Sequence, residues 1–272
     1  MKEILKKTGF GIPNPDRVER EALTLELPEL PRVRVVISRA REREPGCPLH
    51  INIHGGGFIL PHSRDDDLYS AAIAVGIRGI VVDIDYATTP GHTYPTALDQ
   101  CYAVTKWAFS RCADWGADTQ RVSIGGHSAG GNLAAVISLK AAQTKDFRLC
   151  MQVLDCAMTD NTVTDATKGI WRPLIRIAAH LYTGGKRSLL KDPMVSPVYA
   201  PDEMLRGQPD TLFIAPVNCP FLEANRGYAT RLEKAGCRVI YREFEDCRHG
   251  FTVRRHDRWR SAQDTIINAL RG

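Results

Sequence analysis

Apolar positions along this chain fall into short dense runs separated by longer amphipathic stretches. Leu49-His50-Ile51-Asn52-Ile53 alternates, whereas Gly79-Ile80-Val81-Val82-Asp83-Ile84 and Cys150-Met151-Gln152-Val153-Leu154 are nearly continuous. Arg121-Val122-Ser123-Ile124 and the runs 211–215 and 238–244 have the same strand character. Between them, apolar residues recur at helical spacing over 65–76, 95–112, 132–140 and 257–270, with proline in the first turn at Pro95. Buried strands alternating with helices predict an α/β fold, a mostly parallel central sheet covered on both faces. The runs 21–27 and 32–38, split by a proline-rich turn, predict an antiparallel hairpin at the sheet edge. Residues 157–208 break the rhythm with an amphipathic stretch at 170–181, then Gly184-Gly185 and several prolines. The segment is much longer than an ordinary crossover and predicts a small helical cap inserted into a single domain spanning 1–272.

Two motifs carry candidate chemistry. Gly126-His127-Ser128-Ala129-Gly130 lies between a strand-like and a helix-like run. A serine on a sharp strand-to-helix turn is thrust outward, and small neighbours allow the strained turn. His54-Gly55-Gly56-Gly57-Phe58 follows the strand-like run at 49–53. Its glycines leave backbone N–H groups uncovered, and such donors stabilise a developing oxyanion by about 2.7–4 kcal/mol each. A serine nucleophile requires a base. His180, His249 and His256 follow Ser128 in the chain. His180 belongs to the cap stretch and His256 abuts a charged helix. His249 sits in a loop after the last strand-like run, so it is the expected base. His127 is expected to pack below the turn, and Asp65, Asp66 and Asp67 to cap a helix.

Composition narrows the classes. The 272 residues are 43% hydrophobic and 25% charged, with a net charge of +5. That suits a globular domain. The arginines near residues 39–43 and 254–260 read as solvated faces, and no motif supports nucleic-acid binding. No run approaches a membrane span, and the charged start Met1-Lys2-Glu3-Ile4-Leu5-Lys6-Lys7 lacks a signal-peptide core. Eight cysteines without a C-x-x-C pair read as reduced thiols in a cytoplasmic protein. There is no H-E-x-x-H, and no metal site is expected.

HGGGF at 54–58 together with GGHSAGGN at 125–132 resembles the hormone-sensitive-lipase-like branch of the α/β hydrolases, the group of many bacterial acetyl esterases. Tyr86-Ala87-Thr88-Thr89-Pro90, Tyr94-Pro95, Ser196-Pro197, Tyr228-Ala229 and His249-Gly250-Phe251 also fit that pattern. The resemblance implies an α/β-hydrolase fold, with an oxyanion hole from the amides of Gly56, Gly57 and Ala129. It implies a serine carboxylesterase for short-chain, acetyl-type esters, working through an acyl-enzyme without a cofactor. The partner implied is a small-molecule ester, with an acetylated sugar as one candidate. Two departures stand out. The family's N-terminal cap helices are largely missing, which leaves a lid to an oligomer partner or to none. The family's acid position holds Cys219, and a thiol does not support an imidazolium as a carboxylate does. Glu223, one helical turn on, is the expected substitute. Asp155, Asp246 and a pair with no acid are the alternatives. A ligand-binding relative with weak or no turnover is the competing function, and an amide hydrolase a third.

Overall fold

The segment Cys47–Ile53 is buried along its whole length, and the molecule is layered around it. The computed structural model describes residues 2–4, 15–162 and 170–272. Residues 1 and 5–14 of the N-terminal stretch and 163–169 of the expected cap lie outside the described residues. The strands are β1 (Lys2–Ile4), β2 (Val18–Leu25), β3 (Val33–Ala40), β4 (Cys47–Ile53), β5 (Ile80–Asp85), β6 (Ala117–His127), β7 (Met151–Asp155), β8 (Asp210–Asn218) and β9 (Val239–Arg248). The helices are α1 (Arg64–Ile77), α2 (Thr96–Ser110), α3 (Cys112–Trp115), α4 (Ala129–Thr144), α5 (Trp171–Tyr182), α6 (Asp202–Leu205), α7 (Leu222–Lys234), α8 (Phe251–Arg254) and α9 (Trp259–Arg271).

The nine strands of the described residues form one sheet in the order β1-β2-β3-β5-β4-β6-β7-β8-β9. The predicted edge hairpin is β2–β3, and both β1–β2 and β3–β5 are also antiparallel. From β5 through β4 to β9 every pairing is parallel. The sheet separates two cores. Ile80, Val82 and Ile84 join Leu49, Ile51 and Ile53 beneath α2, α4 and α7. Val81 and Val153 point the other way, onto α1 and α9. This alternation is the period-2 geometry of a strand, and each such Ile, Leu or Val buried stabilises by roughly 1.5–3 kcal/mol.

On the α1 face the central strands carry polar residues that find one another. His50 Nδ1 lies 2.9 Å from Ser123 Oγ. Asp83 accepts from Asn52 Nδ2 at 3.0 Å, from Ser70 Oγ at 2.7 Å and from His62 Nε2 at 3.1 Å. Burial opposes charge on His62, but Asp83 outweighs it and raises the imidazole to about 9. At the start of α1, Asp66 accepts from both the N–H and the Oγ of Ser63, so the capping expected there rests on Asp66. Asp67 pairs with Arg20.

Candidate active site

Strand register brings the candidate residues together. Ile53 of β4 pairs with Gly126 of β6, so the triglycine loop and the serine turn leave the sheet side by side. Asn218 of β8 pairs with Arg248 of β9, so Cys219 and His249 emerge as neighbours. All four segments leave at the carboxyl ends of parallel strands, where open α/β sheets place their ligand sites.

Ser128 sits between β6 and α4 with φ 56° and ψ −117°. Positive φ at a non-glycine residue stores strain that its surroundings must hold. They do so through backbone hydrogen bonds: Ser128 N–H donates to Asp155 O at 2.9 Å, and Ser128 O accepts from Met158 N at 2.9 Å and Asn132 N at 3.1 Å. Any side chain on Gly126 or Gly130 would collide with the carbonyl oxygen of Ile53. A Cβ on Gly55 would lie 2.6 Å from His127 Cδ2, and one on Gly56, whose φ is +102°, 2.7 Å from Leu60 Cβ. Glycine is therefore required at the turn and in the loop for contact reasons as well as conformational ones.

His249 Nε2 lies 2.9 Å from Ser128 Oγ. The imidazole stands edge-on to Trp171 of α5 at 5.0 Å and to Phe221 at 5.5 Å. Burial first, and then the neighbouring His127 and Arg254, lower its pKa from the ordinary histidine value. The imidazole is thus held neutral, as a base must be before it takes a proton. A cavity of about 330 Å³ opens here, bordered by Gly56, Gly57, Ser128, Trp171, Phe221 and His249. Met158, Ile175 and Ala178 add to its apolar wall. Among the described residues, the N–H groups of Gly56, Gly57 and Ala129 donate to no other group outside regular helix and strand bonding. The N–H of Gly55 is occupied, donating to His127 Nε2 at 3.1 Å.

The other ring nitrogen of His249 faces Cys219, with Sγ 3.2 Å from Nδ1. Burial pushes this thiol up to about 12. The expectation for Glu223 is corrected here. Glu223 opens α7, turns its carboxylate outward with the side chain 65% exposed, and pairs with Arg226 at 2.7 Å. Arg226 is held in turn by Glu243. Asp155, the first alternative, is buried and accepts from Thr252 Oγ1 at 3.3 Å. Asp246 is exposed, with φ 57°, and gives no bond to His249 among the described residues. His180 is exposed on α5, and His256 pairs with Asp257.

A family model described as alpha/beta hydrolase fold matches residues 50–253. The chain belongs to this family. An AB hydrolase superfamily protein of Schizosaccharomyces pombe is 27% identical over 220 residues, 76% of this chain and 64% of that protein. Carboxylesterase NlhH of Mycobacterium tuberculosis is 33% identical over 130 residues, 47% of this chain and 41% of that protein. The chain thus spans less than two thirds of the length of either. A thermostable esterase from Pseudomonas putida ECU1011 superposes with a TM-score of 0.85 at 24% identity, covering 94% of this chain and 82% of that one, a likeness of fold.

Sequence reasoning about this α/β hydrolase located position 219 but discarded its occupant, because a thiol is a poor acid. It did not find Trp171 or Phe221 as walls of the histidine. Trp171 begins the amphipathic helix expected at 170–181, and its place on the inward face was the available signal. Among the described residues no group of three or more His, Cys, Asp or Glu has the arrangement of a metal site, and no helix is long and apolar enough to cross a membrane.

Proposed function

We propose that this α/β hydrolase is a serine carboxylesterase for short-chain, acetyl-type esters. The observation that carries the reading is the 2.9 Å approach of His249 Nε2 to Ser128 Oγ at the floor of a small apolar cavity. His249 takes the hydroxyl proton as Oγ attacks the ester carbonyl. The amides of Gly56, Gly57 and Ala129 receive the oxyanion. His249 then gives its proton to the leaving alkoxide, which departs as the alcohol and leaves Ser128 acylated. A water molecule, deprotonated by the same imidazole, releases the acid and restores the serine. The steps draw on side chains, backbone amides and water. A cavity of about 330 Å³ lies at the small end of ligand sites and suits an acetyl to butyryl group. Of the expected cap at 157–208, α5 is the part that covers the site, with Ile175 and Ala178 bordering the cavity. An acetylated sugar and a cytoplasmic setting complete the reading, with a second copy of the chain as the candidate for any further lid.

The test is release of 4-nitrophenol from 4-nitrophenyl acetate and butyrate. Wild type turns over, and Ser128→Ala loses at least about 10³-fold in kcat. Wild type no faster than Ser128→Ala would overturn the reading. The neutral thiol beside His249 favours one competitor, a ligand-binding relative with residual turnover. That competitor predicts saturable binding of an ester without steady release of alcohol. Faster cleavage of a matched anilide than of the ester would instead assign an amide hydrolase.

A further inference from the structure

Cys219 occupies a position whose surroundings are those of an anion. His249 Nδ1 stands 3.2 Å from Sγ, and Phe221 N–H donates to the same sulfur at 3.5 Å. Both neighbours are nitrogens, the Phe221 amide a donor and the imidazole a donor in one of its two neutral tautomers. Cys219 also precedes α7, a helix of 13 residues whose amino-terminal end carries the positive pole of its dipole. Leu222 N–H, in its first turn, donates to Cys219 O at 3.2 Å. Cys219 is buried, with 9% of the residue exposed, so water does little to screen these groups. Two nitrogens and a helix terminus thus converge on a buried group, and that group is a thiol.

What the base must do selects the role of the thiol. A neutral imidazole has one N–H and one bare nitrogen. If the thiol gave its hydrogen to Nδ1, the ring hydrogen would sit on Nε2 and point at Ser128, and His249 would be unable to accept the serine proton. The Phe221 N–H already uses Sγ as an acceptor. With Sγ accepting from Nδ1–H as well, Nε2 is bare and faces Ser128 Oγ at 2.9 Å. That tautomer is the working one. A neutral sulfur is, however, a weak acceptor, and it brings no charge to balance the imidazolium that forms when the serine proton arrives. Charge-assisted hydrogen bonds are about twice as strong as neutral ones. Among the described residues, the titratable and charged groups facing the pair are His127 from the end of β6, Arg254 from α8, Asp155 from β7, Cys156 directly after it and Tyr241 from β9. Arg254 opposes an imidazolium, His127 is a neutral ring whose Nε2 accepts from Gly55 N–H, and the Asp155 carboxyl is engaged by Thr252.

Resting on the serine-hydrolase reading above, we propose that Cys219 is a positioning residue that sets the His249 tautomer without supplying charge, and that a carboxylate at position 219 raises turnover. The chain is on this account an attenuated hydrolase, with its serine, base and amide donors in place and its anion socket filled by a neutral group. Removing the carboxylate from a serine triad lowers kcat by about 10⁴, which bounds what its introduction can gain.

The experiment compares wild type, Cys219→Asp, Cys219→Ser, Cys219→Ala and Ser128→Ala on 4-nitrophenyl acetate, with kcat, KM and the pH profile of kcat/KM measured for each. Circular dichroism and thermal unfolding check that each variant is folded. Cys219→Asp is expected to raise kcat at least about tenfold, with KM changed less than about threefold. Its acid limb is expected to move up by about one pH unit or more, because a carboxylate stabilises the protonated ring. Cys219→Ser, which keeps an acceptor, stays within about threefold of wild type, whereas Cys219→Ala loses about fivefold to tenfold in kcat. A merely structural role would leave the acid limb in place. A folded Cys219→Asp with the kcat and pH profile of wild type overturns the proposal. If Cys219→Asp does not fold, the neutral variants decide: Cys219→Ala equal to wild type overturns it, and loss in Cys219→Ala with retention in Cys219→Ser supports it. Failure of the esterase reading is distinguishable, since wild type then matches Ser128→Ala. A silent wild type with an active Cys219→Asp supports the positioning role, and silence in both overturns it.

Discussion

His127 Nε2 accepts a hydrogen bond from the N–H of Gly55 at 3.1 Å, tying the residue before the serine to the first glycine of the triglycine loop. The two candidate halves of the site, nucleophile and amide donors, are thereby held at a fixed separation. The contact leaves no room for a side chain, since a Cβ on Gly55 would meet His127 Cδ2 at 2.6 Å. Gly55→Ala is expected to move the loop by a fraction of an ångström or more and lower kcat about 10²-fold. KM should change much less. Steady-state kinetics on a short nitrophenyl ester, with a melting curve to confirm folding, checks this. Unchanged kcat would show that the loop does not report to the chemistry.

Glu223 faces solvent and pairs with Arg226, also exposed. Exposed pairs contribute about 0–1 kcal/mol. Glu223→Gln is therefore expected to leave kcat and KM within about twofold of wild type and to cost less than about 1 kcal/mol in urea unfolding. A loss of turnover of an order of magnitude would return Glu223 to the site.

The buried His62–Asp83 pair makes stability depend on alkaline pH. Burial works against both charges, yet each holds the other ionised: His62 is raised to about 9, and Asp83 is lowered by His62 and Ser70. Unfolded, His62 returns to its ordinary value near 6.5. Its contribution is complete below that pH and fades as pH rises through about 9. Unfolding free energy should fall by on the order of 3 kcal/mol across this window. His62→Gln should flatten the slope, and urea titrations at a series of pH values measure it.

Asp155 makes an opposite demand on the core. Its carboxyl is buried and raised to about 7 by that burial, and one oxygen, Oδ2, has no partner among the described residues. The group favours the folded state most below the ordinary aspartate value. That contribution is lost as pH rises through about 7, because ionisation inside the protein is costly. Asp155→Asn should therefore be relatively more stable than wild type above pH 8, and its stability should vary less between pH 4 and 8. Paired urea curves at both ends of that range decide it.

The chain pattern revealed the sheet because its central strands are dense in apolar residues, buried along their length, and the helices between them are amphipathic. Strand ends were less legible. β9 continues four residues past the expected 244 because its end is held by pairing of Asn218 with Arg248, which leaves no mark on local composition. Ser128, His249 and the triglycine loop stood out because their chemistry is local, each in its own short motif. Glu223 misled because proximity along a helix does not reveal direction: the first turn of α7 aims it at Arg226 and away from the ring. The Asp83 cluster was invisible for another reason. Its members come from β4, β5, α1 and the loop before α1, and only packing assembles them.

The cross-strand pairing of Asn218 with Arg248 has a consequence for how this protein can change. A strand advances about 3.3 Å per residue, and a slip of one position turns each side chain to the opposite face. Deleting a single residue near the end of β8 or β9 would carry position 219 out of reach of the imidazole while leaving every functional group intact. Substitutions at 219 instead alter only what the ring meets. Point replacement can therefore retune this site, whereas small insertions or deletions in these two strands would silence it.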